Sequence, residues 1–257
     1  EGHPDKLCDL IPDSVLDACL DHDMFSHVAC EVMATKGNII VAGEITSNYE
    51  PHIPSIVRSV LQKVGYDPAR YAVQCFIHKQ SPDIAAGVDC SLELRRGRTD
   101  GNPVLEMGAG DQGIMVGYAC NETPQMLPLP VVLARRLTNR LTMVRKSGAV
   151  AGLLPDGKAQ VTVEYDEDGK PLRLDTIVLS AQHNPEKPMD ELFWQLTDSV
   201  LEPALLPLLP DKSTKILINP AGQFVFGGPE ADTGLTGRKL MVDSYGVFAP
   251  HGGGAFS

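Results

Sequence analysis

Residues 28–46 read VACEVMATKGNIIVAGEIT. β-branched and apolar residues run up to Lys36-Gly37-Asn38 and resume directly after it. That is the pattern of two strands joined by a tight turn. Outward from this hairpin, Ile53, Ile56, Val57, Val60, Leu61 and Val64 fall on one face of a helix. A further strand follows at 71–77, YAVQCFI. The unit recurs at 159–182, where AQVTVEYD and LRLDTIVLSAQ flank a Glu167-Asp168-Gly169-Lys170 turn. A helix-like stretch then runs from about Met189 to Leu201. The pattern opens a third time at 214–226, with TKILI, a Pro220-Ala221-Gly222 turn and QFVFGG. Repetition of one supersecondary unit predicts an α+β fold with a pseudo-threefold repeat of sheet-plus-helix domains, the third incomplete. The chain closes on the Gly-rich run 251–257, HGGGAFS, which reads as truncation. The expected domains are 1–90, 108–225 and 226–257. Residues 91–107 serve as a lid or linker, because 81–107 is long, polar and weakly periodic.

The 257 residues, 43% of them hydrophobic, can bury a substantial core. The net charge of -11 argues against nucleic acid and against anionic membrane surfaces. No apolar run is long enough to cross a bilayer, and no leader segment is recognisable. The six cysteines, at 8, 19, 30, 75, 90 and 120, form no CxxC pair, so reduced thiols in the cytoplasm fit best.

Four motifs carry chemical content. Gly108-Ala-Gly-Asp-Gln-Gly113 matches G-x-G-x-x-G, but the following IMVGYAC reads as a strand, and arginines 135 and 136 stand where a dinucleotide fold needs an acid. His251-Gly-Gly-Gly254 lacks the G-x-S-x-G elbow that an esterase requires, and no Walker A pattern exists. Glu1-Gly-His3-Pro-Asp5-Lys6 gathers ionisable groups ahead of a helix. There a His can donate to a leaving oxygen, an Asp can hold Mg²⁺ and a Lys can meet phosphate. Its plainer reading is a solvated helix cap. Gly234-Leu-Thr-Gly-Arg238-Lys239 places adjacent cations on a Gly-rich turn, which suits a phosphate cradle or an ordinary charged turn.

Taken together, EGHPDK, VAGEIT at 41–46, KQSPDIAAGVD at 79–89, GAGDQG, Asp156-Gly157-Lys158, FVFGGPEADTGLTGRK at 224–239 and HGGGAFS resemble the S-adenosylmethionine synthetases. They lie in family order along the whole chain. Two stretches depart: Ala149–Asp156 lacks the family's Trp and Arg, and Gln223 stands where the family usually carries Arg. The resemblance implies a reaction in which ATP and methionine give S-adenosylmethionine and the tripolyphosphate is hydrolysed to phosphate and pyrophosphate. It implies His3 at the oxygen leaving C5′, and Lys158, Arg238 and Lys239 on the triphosphate. It implies Glu44, Gln80 and Asp232 at methionine. Asp111, Asp156, Gly157, Gln223, Phe224, Asp232 and Ala255 join the ATP site. Two Mg²⁺ are expected per site, one at Asp5, with K⁺ at Glu31. A homodimer with shared active sites is implied, or a tetramer. The competing class is a nucleotide-binding member without turnover, for which Gln223 speaks.

Overall fold

The computed structural model describes residues 1–88, 90–102, 105–106, 108, 114–206 and 208–250. In the first unit, helix α1 (Pro4–Leu20) is followed by strands β1 (His27–Thr35) and β2 (Asn38–Thr46). They form an antiparallel hairpin in which Thr35 pairs with Asn38. Gly37, with φ of 70°, makes the two-residue connection, a backbone conformation that a β-carbon would strain. Helix α2 (Ile53–Val64) ends at Gly65, whose φ of 108° lets its N–H and that of Tyr66 return to Leu61 O. Strand β3 (Ala72–His78) then lies parallel to β2. Cys30, Val32, Ala34, Ile39 and Val41 face α1 and α2 and close the core with Leu7, Ile11, Val57 and Leu61. The residues between them on β1 and β2, Glu31 and Glu44 among them, point to the other face.

Two short helices follow, α3 (Pro82–Val88) and α4 (Leu92–Arg95). They lie in the stretch read as an aperiodic lid. Residues 114–120, read as a strand, form none: Ile114 and Met115 are exposed and pair with no strand among the described residues.

The second unit repeats the first. Helix α5 (Leu129–Ser147) precedes the antiparallel strands β4 (Leu153–Tyr165) and β5 (Pro171–His183). Helix α6 (Met189–Leu196) passes through a π-turn into α7 (Glu202–Leu205), and β6 (Lys215–Ile218) runs parallel to β5. Leu137, Leu141, Leu174, Ile177, Leu179, Leu192 and Leu196 fill this core. Both units thus run helix, hairpin, helix, parallel strand.

The stretch read as a third hairpin forms none. Lys215–Ile218 completes the second sheet instead of opening a third. Asn219 ends it: its side chain bonds both Ala181 N and Ala181 O, at 2.8 and 3.0 Å, replacing a backbone rung. Phe224 then docks on His183 without becoming a strand. Among the described residues after Phe224, the chain adds strand β7 (Gly234–Leu235) and helix α8 (Leu240–Asp243). Strand β7 adds to the first sheet beside β1, giving the order β3-β2-β1-β7. No helix among the described residues is long and apolar enough to span a membrane.

Candidate active site

Helix α1 starts on Pro4, a residue whose fixed φ suits the first turn and whose missing N–H costs nothing there. His3 caps it, its Nδ1 accepting the Asp5 N–H at 3.2 Å. With Nδ1 so engaged, the neutral ring carries its proton on Nε2, where it can donate outward. Burial lowers the pKa of His3. The Lys239 and Lys158 ammonium groups lower it further, while Asp156 and Asp5 oppose them.

Asp5 and Asp9, one turn apart, are buried. Asp5 Oδ1 accepts the Leu235 N–H at 2.9 Å and Oδ2 accepts from Lys239 Nζ. Burial alone would raise the Asp5 carboxyl, but Lys239, the Leu235 N–H and His3 together hold it below the usual aspartate range. Asp9 Oδ1 accepts the Gly237 N–H at 2.9 Å. Lys6 sits 3.1 Å from Asp9 Oδ2 and 2.8 Å from both oxygens of Asp243. Burial disfavours its charge, yet Asp243 and Asp9 outweigh that and hold the ammonium above its ordinary pKa. Lys6, read from sequence as a phosphate ligand, is therefore engaged in docking α8. The approach is tight enough that a Cβ on Gly234 would lie 2.3 Å from the Pro4 carbonyl. The two motifs flanking this contact, EGHPDK and GLTGRK, are 230 positions apart at the Asp5–Leu235 bond.

A third segment joins them. Gly2 N donates to Pro155 O at 3.1 Å, bringing the start of β4 against the N-terminus. Asp156 is 5% exposed; its Oδ2 accepts the Gly228 N–H at 2.8 Å, and its own N–H goes to Gln182 Oε1 at 3.2 Å. Its Oδ1 is buried and has no protein partner among the described residues. Tyr66 Oη donates to Gly2 O at 2.5 Å and packs on Gly228, where φ is 61° and a Cβ would lie 2.1 Å from Oη. Lys158, exposed on β4, and Arg238, exposed beside Lys239, make no ion pair among the described residues.

The structure thus brings together His3, Asp5, Asp156, Gly157, Lys158, Arg238 and Lys239. Asp232 is exposed on the same loop, accepting the Thr233 N–H. Glu31 and Glu44 lie on the face of the first sheet opposite α1. Gln80, just past β3, has a buried Oε1 without a partner among the described residues. Gln223 is exposed and Phe224 half-buried, its N–H donating to His183 Nε2 at 3.1 Å and its carbonyl accepting the His183 N–H at 2.9 Å. Asp111 and Ala255 lie outside the described residues. Sequence reading missed Asp9, Tyr66 and Gln182, whose roles are contacts between distant segments and leave no local pattern.

Among the described residues no group of three His, Cys, Asp or Glu could cage a metal ion. A divalent cation at Asp5 would need phosphate oxygens and water for its other ligands, a common arrangement for Mg²⁺. Asp5 fits that demand: it is buried, ionised and already faces a cation in Lys239. Glu31 fits K⁺ less well within one chain, being a single exposed carboxylate on an open strand face.

Exposed cations around a neutral imidazole donor and a buried carboxylate can hold a polyphosphate and stabilise negative charge developing on it. Residues 1–82 match the S-adenosylmethionine synthetase N-terminal domain, 106–224 the central domain, and 226–257 the C-terminal domain, the last a short match. With all three domains matched in order, the chain belongs to the S-adenosylmethionine synthetase family.

Proposed function

We propose that this chain transfers the adenosyl group of ATP to the sulfur of methionine, and then hydrolyses the tripolyphosphate to phosphate and pyrophosphate. The convergence of His3, Asp5, Asp156, Lys158, Arg238 and Lys239 from three remote segments carries the reading. A thioether is nucleophilic without a base, so the first step asks for charge stabilisation at the leaving oxygen. His3 Nε2–H serves that oxygen. Lys158, Arg238 and Lys239 hold the triphosphate through charge-assisted hydrogen bonds. Mg²⁺ held by Asp5 would neutralise charge on the phosphates when bound. Asp232, Glu44 and Gln80 orient methionine, and Phe224 and Gln223 border the nucleotide. Residues 91–107 act as the lid over the site.

Glu31 and Glu44 cannot join His3 in one chain, because the first sheet separates them from α1. Their roles at methionine and K⁺ therefore require a second copy, which supports a homodimer with shared sites. The six free thiols fit a reducing compartment such as the cytoplasm. The test is incubation with ATP, methionine, Mg²⁺ and K⁺, with S-adenosylmethionine followed by mass spectrometry. Product that depends on methionine and metal supports the reading. Binding of ATP without product at any protein concentration would leave a nucleotide-binding protein instead.

A further inference from the structure

We infer that the Lys239 ammonium stands in for the divalent cation on Asp5, so that Lys239 and the metal exclude one another until a polyphosphate draws Lys239 away. The inference rests on reading this cluster as a metal-polyphosphate site.

A carboxylate as buried as Asp5 must have its charge compensated. Its two oxygens are compensated differently. Oδ1 is held by the Leu235 N–H, part of a backbone clamped between α1 and β1. Oδ2 is held by the end of a flexible side chain that is itself 28% exposed. Among the described residues, Lys239 Nζ has, apart from Asp5, only a long contact, 3.4 Å, to Arg238 O. The backbone near Lys239 is anchored independently. Lys6 grips Asp243, and Arg135 donates to Asp243 O and Ser244 O at 2.7 and 2.5 Å. The head group can therefore leave Asp5 while its loop stays in place.

The neighbouring pair behaves differently. Lys6 is shared by two carboxylates, Asp9 and Asp243, whereas among the described residues Lys239 pairs with Asp5 alone. Asp5–Lys239 is thus the exchangeable pair and Lys6–Asp9–Asp243 the fixed one. A second feature points the same way: Asp156 Oδ1 is buried with no hydrogen-bond partner among the described residues. That oxygen is an acceptor open to an incoming cation or donor. A divalent ion and an ammonium on one carboxylate repel each other, so metal alone must displace Lys239 into water. A triphosphate offers Lys239 another anion and removes that penalty. Metal and polyphosphate then bind cooperatively, by linkage.

The test measures Mn²⁺ binding to the whole chain without nucleotide, by calorimetry and by the electron paramagnetic resonance of free Mn²⁺. Lys239→Met should tighten Mn²⁺ at least ~10-fold, the worth of one charge-assisted hydrogen bond. Lys239→Arg should keep the weak wild-type affinity, and Asp5→Asn should lose binding. Arg238→Met removes an adjacent cation without touching Asp5 and should change the affinity less than about threefold. No gain in Lys239→Met, or an equal gain in Arg238→Met, overturns the inference. Should Lys239→Met fail to fold, the wild type decides. The ¹³C resonance of reductively methylated Lys239, assigned by its loss in Lys239→Arg, should shift as Mg²⁺ saturates the site. An unmoved resonance overturns the inference. Neither readout uses turnover. A chain that shows the exchange but makes no S-adenosylmethionine refutes only the proposed function, and one that makes product without the exchange refutes only this inference.

Discussion

Helices α1 and α5 occupy the same place in two units of one topology, and they treat charge in opposite ways. Helix α5 buries Val132, Leu133, Leu137, Leu141 and Val144, all apolar. Its four arginines are all engaged: Arg135 on carbonyls at the end of α8, Arg136 on Leu206 O, Arg140 on Ser199 O and Arg145 on the Glu1 carboxylate. Its first turn is closed by Glu122, which accepts the Leu129 N–H at 2.9 Å and the Tyr165 hydroxyl at 2.8 Å. Helix α1 instead buries Asp5 and Asp9 beside Leu7, Cys8 and Ile11, and is capped by a histidine with one nitrogen left over. Near it, Asp156 keeps an unpartnered oxygen. The same kind of helix is inert where its polar side chains are engaged at its own surface, and suited to chemistry where some partners are replaceable.

The comparison is broken most directly at His3. Asparagine is a good helix cap, so His3→Asn should leave stability within about 0.5 kcal/mol. Adenosyl transfer should fall ~10²–10³-fold through loss of the donor at the leaving oxygen. Hydrolysis of added tripolyphosphate breaks another bond and should fall much less. Equal losses in both assays would show that His3 only holds the polyphosphate.

Next in size is the seam between α1 and β7. Gly234→Ala puts a methyl group into the Pro4 backbone. It should cost ~1–3 kcal/mol and pull Leu235 and Lys239 from Asp5. Thermal unfolding should show a drop of several degrees, with weakened tripolyphosphate binding in calorimetry. A melting temperature equal to wild type would mean that the seam opens without cost.

Glu122→Ala, at the start of α5, should do the reverse of His3→Asn. Losing the cap on Leu129 should destabilise by about 0.5–2 kcal/mol and leave turnover per folded molecule unchanged. A change in the Michaelis constant for ATP would show that the second unit's helix start is not inert.

The smallest effect is on the surface of the second sheet. Arg173 pairs with Asp211 at 2.8 Å and Glu164 at 3.0 Å. Arg173, then the Ser213 hydroxyl and N–H, hold the Asp211 carboxyl well below the usual range. A carboxyl depressed in the folded state adds stability above its unfolded pKa, and that stability is lost as pH falls through the folded value. The stability gap between wild type and Arg173→Met should therefore narrow as pH drops below ~4. A gap that widens in acid would reverse the sign of this argument.

Much of the fold is legible from local pattern. The hairpins at 28–46 and 159–182 and helix α2 follow from alternation, a turn and a stripe of apolar residues, all of short range. Helix α5 carries a comparable stripe, but five cations from Arg135 to Lys146 interrupt it, and the sequence reading above assigns it no helix. Strand β6 is ambiguous in sequence because TKILI followed by a turn looks alike as the end of one repeat or the start of the next. Only its hydrogen bonds to β5 distinguish them. The 114–120 stretch has strand-like residues, but a strand also needs a neighbour, which composition cannot supply.

The sequence by itself determined the family, the hairpin-and-helix unit and the types of side chain available for chemistry, because those depend on residue identity and spacing along the chain. Tertiary structure decided which charges are free to act. Asp5 and Asp9 lie one turn apart on one helix and look equivalent in the sequence. Strand β7 and α8 make them different, giving Asp9 a lysine shared with Asp243 and Asp5 a lysine that can leave. The reason is physical: the energy of a buried charge depends on partners brought in by the fold from 230 residues away, and such a distance leaves no periodicity to read.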